Sequence, residues 1–349
     1  MATEQSTVAT RSGINETWLA SSREDILEPE LVIVDPHHHL WDFARHRYLL
    51  HDLLADTGSG HNIAQTVFIE CTACYRADGP PALRPVGETE FVNGIAAMTA
   101  SGAYGPIRVA AGIVGLADLT LGAAVEEVLA AHVTAGGGRF RGIRHAAGWQ
   151  DKTPDVHNSH TNPPPHLYRD HAKFREGFAV LGKMGLTFDA WLYHPQLPDL
   201  IDLARAFPQQ PIVLDHVGGP LGLGWYADKR QEIFAQWRIH IRELGQSPNV
   251  FVKLGGIGMR INGFNFHKRE RPPSSEELAA AWRPYVETCI EAFGARRCMF
   301  ESNFPVDKIS GSYATYWNAF KRLAAGASDS EKAALFRETA RQFYRLPSQ

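Results

Sequence analysis

The chain has little that would commit it to a partner or a compartment. Four cysteines occur among 349 residues, too few for a disulfide-stapled secreted fold and in keeping with a reducing, cytoplasmic setting. Cys71 and Cys74 form a C-x-x-C, but Cys289 and Cys298 lie nine apart, so the second pair of a zinc clip is missing and the motif reads as two buried thiols. No window approaches the roughly 18 apolar residues of a membrane span. Residues 1–30 are polar, with Glu4, Arg11 and Glu16 and no apolar core of signal-peptide length. Charge of one sign is also lacking: 35 Lys and Arg stand against 38 Asp and Glu, which excludes a nucleic-acid or membrane partner recognised by charge. Gly136-Gly137-Gly138 lacks the spacing of a phosphate loop, and neither a G-x-G-x-x-G nor a G-x-S-x-G elbow is present. The expected partner is a small molecule, with the chain itself as the other candidate in a homo-oligomer.

What the sequence does have is a recurrence. Short β-rich runs at 31–34, 66–70, 108–114, 140–144, 186–190, 211–214, 250–254 and 298–301 alternate with longer helical patterns, such as 121–132, 197–207, 234–244 and 276–293. Alternation of this kind predicts βαβ units and a parallel sheet, and eight runs predict closure into a (β/α)8 TIM-type barrel. The reading is an N-terminal extension over 1–30 and a single barrel domain over 31–349, with helices of 313–344 covering the barrel wall. Two long stretches without a period, 146–175 and 255–275, follow predicted strands. They should lie over the C-terminal face, where barrel active sites sit, as lids or binding loops.

The first run ends in Asp35-Pro36-His37-His38-His39-Leu40-Trp41-Asp42. Side chains two apart on a strand share a face, so His37 and His39 project together into the barrel mouth. Two imidazoles side by side make half a metal site or a donor pair for a carbonyl oxygen. His216 closes the sixth run and faces the same mouth. Asp189 ends the fifth, with His194 five residues beyond, and Glu70 ends the second.

In these residues the chain resembles the lactonase-like branch of the amidohydrolase superfamily (the amidohydrolase-2 family), whose members act on sugar lactones and dicarboxylate lactones. The likeness continues through Arg141-Gly142-Ile143-Arg144, Phe188-Asp189-Ala190-Trp191 and Tyr193-His194-Pro195-Gln196-Leu197-Pro198. It then takes in Val213-Leu214-Asp215-His216-Val217-Gly218-Gly219-Pro220, Phe251-Val252-Lys253-Leu254 and Met299-Phe300-Glu301-Ser302-Asn303-Phe304-Pro305-Val306. The resemblance implies that His216 joins His37 and His39, as a metal ligand or a donor to substrate. It also implies an aspartate as general base at the position this chain fills with Asn303, and an amide cannot take a proton at neutral pH. Glu301, two residues earlier on the same face, is the expected replacement, with Glu70 as a second candidate and Asn303 left to bond substrate.

Two-metal relatives use a strand-4 lysine, whereas strand 4 here ends in Arg144-His145. The expectation is therefore at most one divalent metal, zinc first, on His37, His39 and His216. Arg144 suits a substrate carboxylate, and Tyr48, Trp191, Lys253, Asp189 and His194 complete the expected pocket. The predicted activity is hydrolysis of a small carboxylated or polyhydroxylated lactone. The alternatives are decarboxylation of an aromatic or unsaturated acid, and a barrel that only binds a small molecule.

Overall fold

Eight parallel strands follow one another around a barrel in chain order: β1 Val32–His38, β2 Asn62–Ile69, β3 Arg108–Gly115, β4 Phe140–Arg144, β5 Thr187–Ala190, β6 Ile212–Leu214, β7 Val250–Leu254 and β8 Cys298–Phe300. They come from a computed structural model that describes residues 14–44 and 46–348. The circle is drawn together just past β8, where Asn303 N donates to His37 O at 2.9 Å and His39 N to Phe304 O at 2.8 Å. Each of the eight predicted runs overlaps one of these strands, though the first three strands run past the predicted bounds, to Val32–His38, Asn62–Ile69 and Arg108–Gly115.

Period-two alternation sorts the side chains. Ile33, Phe68, Ile113, Ile143, Phe188 and Phe300 belong to the large core shared with the surrounding helices. Val34, Val67, Ile69, Val114, Val213 and Met299 form a second cluster inside the barrel. That inner cluster includes Ala340, Phe343, Tyr344 and Leu346, so the end of the chain plugs the barrel floor instead of only covering its wall. Tyr344 reaches furthest, its hydroxyl donating to Asp189 Oδ2 at 2.6 Å.

Helix boundaries follow local chemistry. Ser275–Phe293 begins in a capping box, Ser274 Oγ accepting from Glu277 N while the Glu277 carboxylate accepts from Ser274 N. The helix predicted over 121–132 instead runs Val125–Ala135. Gly122 breaks the turn before it with φ of 63°, at a place where a Cβ would overlap the Glu176 side chain.

Residues 1–13 of the predicted extension lie outside the described residues. The remainder is tied to the barrel by polar contacts: Ser275 N donates to Glu24 Oε1 at 2.6 Å, and Leu27 N donates to Asn318 Oδ1 at 2.9 Å. Lys321 Nζ donates to the carbonyls of Leu27 and Glu28 at 2.7 and 2.8 Å. Among the described residues no helix is long and apolar enough to cross a membrane. All four thiols are free, and Cys71 is buried as expected. Cys74, by contrast, is exposed, on a turn where its own φ is 54°.

Candidate active site

At the C-terminal end of the barrel a cavity of about 390 Å³ opens among His39, Trp41, Arg144, Trp191, His216 and Asn303, a size suited to a small ligand. The 146–175 stretch contributes Asp155, His157 and His160 to its lining, and the 255–275 stretch contributes Arg260 and Ile261. Both loops thus stand over the mouth, as their place after β4 and β7 predicts.

Beneath the cavity lies a buried layer of charge. Glu301 is the hinge of it: Oε2 is 2.8 Å from His37 Nδ1, and Oε1 is 2.7 Å from His216 Nδ1 and accepts from His216 N at 3.2 Å. His216 holds this position in the left-handed region, with φ of 54°, a conformation disfavoured for a residue with a Cβ. Gly255 and Gly256 of the next loop make room, since a Cβ on either would overlap Glu301 or the His216 ring.

Lys253 is fully buried between two carboxylates, Asp189 Oδ2 at 2.7 Å and Asp215 Oδ1 at 2.9 Å, and sits 3.1 Å from His37 Nδ1. Burial pulls its ammonium pKa down, but Asp189 and Asp215 outweigh this and raise it. Arg144 donates through Nε to Glu70 Oε1 at 2.7 Å and through Nη2 to Glu70 O at 2.6 Å. Its Nη1 lies 3.5 Å from Asp215 Oδ2. Burial pushes the Glu70 carboxyl up, yet His160, 3.2 Å away, and Arg144 together hold it below the usual carboxylate range.

The sequence-predicted residues therefore divide. His39, His216, Arg144, Trp191 and Asn303 line the cavity, while His37, Glu70, Asp189, Lys253 and Glu301 form the layer under it. Tyr48 and His194 stand apart. The Tyr48 hydroxyl donates to Asp56 Oδ2 at 2.7 Å, and His194 Nδ1 accepts from Leu221 N at 3.2 Å. The sequence did not single out His157, His160 or Asp155, because a stretch without a period assigns no direction to a side chain. Asp215 was readable in principle, as the neighbour of His216 at the end of β6.

His37, His216 and Glu301 could hold a cation, since each offers one ligand atom and these lie within 4.8 Å of one another. The charge balance fits. Among the described residues, Lys253 and Arg144 are the Lys and Arg side chains paired with Glu70, Asp189 and Asp215, and burial, then Lys253 and His216, keep the His37 pKa well below 6.5, so its imidazole is in the neutral form that ligates. His39 is oriented differently: its Nδ1 lies 2.8 Å from the Ile69 carbonyl oxygen, which can only accept, leaving Nε2 as the basic nitrogen of the ring.

Comparison with known proteins fits this geometry. The family model described as Amidohydrolase matches residues 34–346. The chain is a member of the amidohydrolase family. It is 34% identical to the uncharacterized protein y4mH of Sinorhizobium fredii, over 91% of this chain and 99% of that one. It is 29% identical to an L-fucono-1,5-lactonase of Burkholderia multivorans, over 60% of this chain and 64% of the lactonase. Its fold is shared with a crystal structure of an amidohydrolase from Burkholderia multivorans with bound zinc, at a TM-score of 0.68 and 24% identity, covering 90% of this chain and all of that one. This amidohydrolase is thus an enzyme of the amidohydrolase type.

Proposed function

We propose that this amidohydrolase opens a small lactone carrying a carboxylate. The observation that carries the reading is the Glu301 carboxylate held between the His37 and His216 imidazoles, directly below a cavity of small-ligand size.

The lining supports each part of the task. Arg260 forms no ion pair among the described residues, and its Nε is buried without a hydrogen-bond partner, so it is placed to take the substrate carboxylate. Arg144 is less suited, because Glu70 already occupies its fork. Trp41 and Trp191 offer apolar faces to a ring. Asn303 Nδ2 donates to Asp307 Oδ1 at 3.0 Å while Asn303 Oδ1 has no hydrogen-bond partner, an arrangement that leaves an acceptor for the attacking water or a substrate hydroxyl. His39, with its basic Nε2, can take the proton of that water. Glu70, held below the usual carboxylate range, is a poor base and serves instead to fix Arg144.

His37, His216 and Glu301 would hold a single divalent ion, zinc first. Such an ion would polarise the lactone carbonyl and lower the pKa of water.

The test is metal analysis of the purified protein together with a screen of carboxylated and neutral lactones. About one zinc per chain, lost in His37→Ala, with turnover of a carboxylated lactone, is the expected result. Release of carbon dioxide from an aromatic acid, with no lactone opened, would overturn the assignment in favour of a decarboxylase.

A further inference from the structure

A second cavity, of about 630 Å³, lies at the opposite end of the barrel. Its walls come from the N-terminal ends of strands. Arg108 is the first residue of β3, Arg141 the second of β4, and Gln65 of β2 is the register partner of Arg108. Arg139 and the chain segment at Pro347 and Ser348 complete it, Gln65 Nε2 donating to Pro347 O at 3.0 Å. Arg345 stands beside it, with Nη2 on the Arg141 carbonyl at 3.4 Å.

Four guanidinium groups, Arg108, Arg139, Arg141 and Arg345, thus gather at one opening, and none of them forms an ion pair among the described residues. Their hydrogen bonds go to neutral oxygens. Arg108 uses Nη1 alone, on carbonyls that include Pro106 O at 3.0 Å. Arg141 uses Nη1 on Gly138 O at 2.8 Å and Phe140 O at 3.1 Å, and its Nε is buried with no partner. Arg139 Nη1 donates to the Asn93 amide oxygen at 2.6 Å. A guanidinium carries five donors in a planar fork that matches carboxylate and phosphate oxygens, so most donors here are unspent. The cluster also carries mutual repulsion: burial, then Arg345 and Arg139, lower the Arg141 pKa. In a chain of net charge −3 this is a local excess, which a multivalent anion would neutralise.

We propose that the Arg108, Arg139, Arg141 and Arg345 cavity at the barrel floor is a binding site for a small anion bearing two or more phosphate or carboxylate groups. The gathering of the four guanidinium groups at one opening favours a small molecule over a nucleic acid, which needs an extended basic stripe. This site stands apart from the catalytic face and does not depend on the activity proposed there.

Calorimetric titration of the whole protein in low-salt buffer with pyrophosphate, and separately with citrate, tests it. The expected result is saturable binding of at least one of them at one per chain; which one binds tells a phosphorylated ligand from a polycarboxylated one. Arg345→Gln, at an exposed position, and Arg108→Gln should each weaken binding by roughly tenfold or more, with melting temperature checking that each variant folds. Arg260→Gln, at the other end, should leave the affinity unchanged. Absence of saturable binding to either anion overturns the proposal, as does binding untouched by both floor substitutions. Salt-sensitive retention of duplex DNA without binding of the small anions would overturn it too.

Discussion

Glu301 places one carboxylate oxygen on each of two imidazoles, Oε2 at 2.8 Å from His37 Nδ1 and Oε1 at 2.7 Å from His216 Nδ1. An amide in its place would keep one acceptor oxygen but lose the charge that a cation shared with the two imidazoles needs. Glu301→Gln should therefore lower turnover by about 10²-fold or more and reduce the metal content of the purified protein. Steady-state kinetics and elemental analysis on the same preparation read both effects. Near-normal turnover with full metal content would remove Glu301 from the chemistry.

Asn303 has a structural tie that an aspartate could not keep. Its Nδ2 donates to Asp307 Oδ1 at 3.0 Å, Gly258 N donates to Asp307 Oδ2 at 2.9 Å, and burial pushes the Asp307 carboxyl up to about 7. Asn303→Asp would set two carboxyl groups against each other in a buried site, at an expected cost of about 1–3 kcal/mol. Exchanging the pair, Asn303→Asp with Asp307→Asn, restores a donor and an acceptor and should recover most of the loss. A double-mutant cycle by urea unfolding measures this. Additive costs would mean that the two side chains are uncoupled.

Arg260 separates substrates by charge if it holds their carboxylate. Arg260→Gln should raise KM for a carboxylated lactone by about tenfold or more with kcat little changed, the signature of lost uniform binding. A neutral lactone should be indifferent to the change. Equal KM shifts for both substrates would place Arg260 in loop structure instead of recognition.

The barrel was legible in the sequence because its signal is periodic and local: each strand is a short β-rich run, and residues two apart share a face. His37 and His39 could be placed together from their spacing on the first strand, while His216 and Glu301 joined them through strand-end position together with the family resemblance. The partners of each side chain were not legible. Glu70 and Arg144 both end strands, yet only the folded geometry shows that they satisfy each other, which is why the proposed carboxylate recognition turns to Arg260, on a stretch with no period. Tyr344 is a similar case. Its helical surroundings read as barrel wall, and nothing local shows that its hydroxyl meets Asp189 inside.

Lys253 depends on those buried partners. With Asp189 at 2.7 Å and Asp215 at 2.9 Å, Lys253→Met would fill the space and leave two carboxylates without their cation. Removing one partner of a buried ion pair costs about 3–5 kcal/mol, and here two are stranded. Chemical denaturation should show a loss of that size. A loss near zero would mean that Asp189 and Asp215 protonate or hydrate at little cost.

Glu88 should make stability depend on pH from outside the catalytic layer. Its Oε1 accepts from Cys71 N at 3.0 Å and Ala73 N at 2.7 Å, holding the loop after β2, while Oε2 is buried without a partner. Burial first, and repulsion from Glu70 second, raise its carboxyl from 4.5 to about 8. The folded chain therefore holds this proton more tightly than the unfolded chain. The resulting stabilisation is fully present below about pH 4.5 and is lost as pH rises through about 8. Glu88→Gln keeps the accepting oxygen and removes the charge. Its melting temperature should gain on wild type by about 2 °C or more between about pH 5 and about pH 9. A difference that stays flat across that range would mean that Glu88 is ionised throughout in the folded chain, with the two backbone donors sufficient to hold the charge.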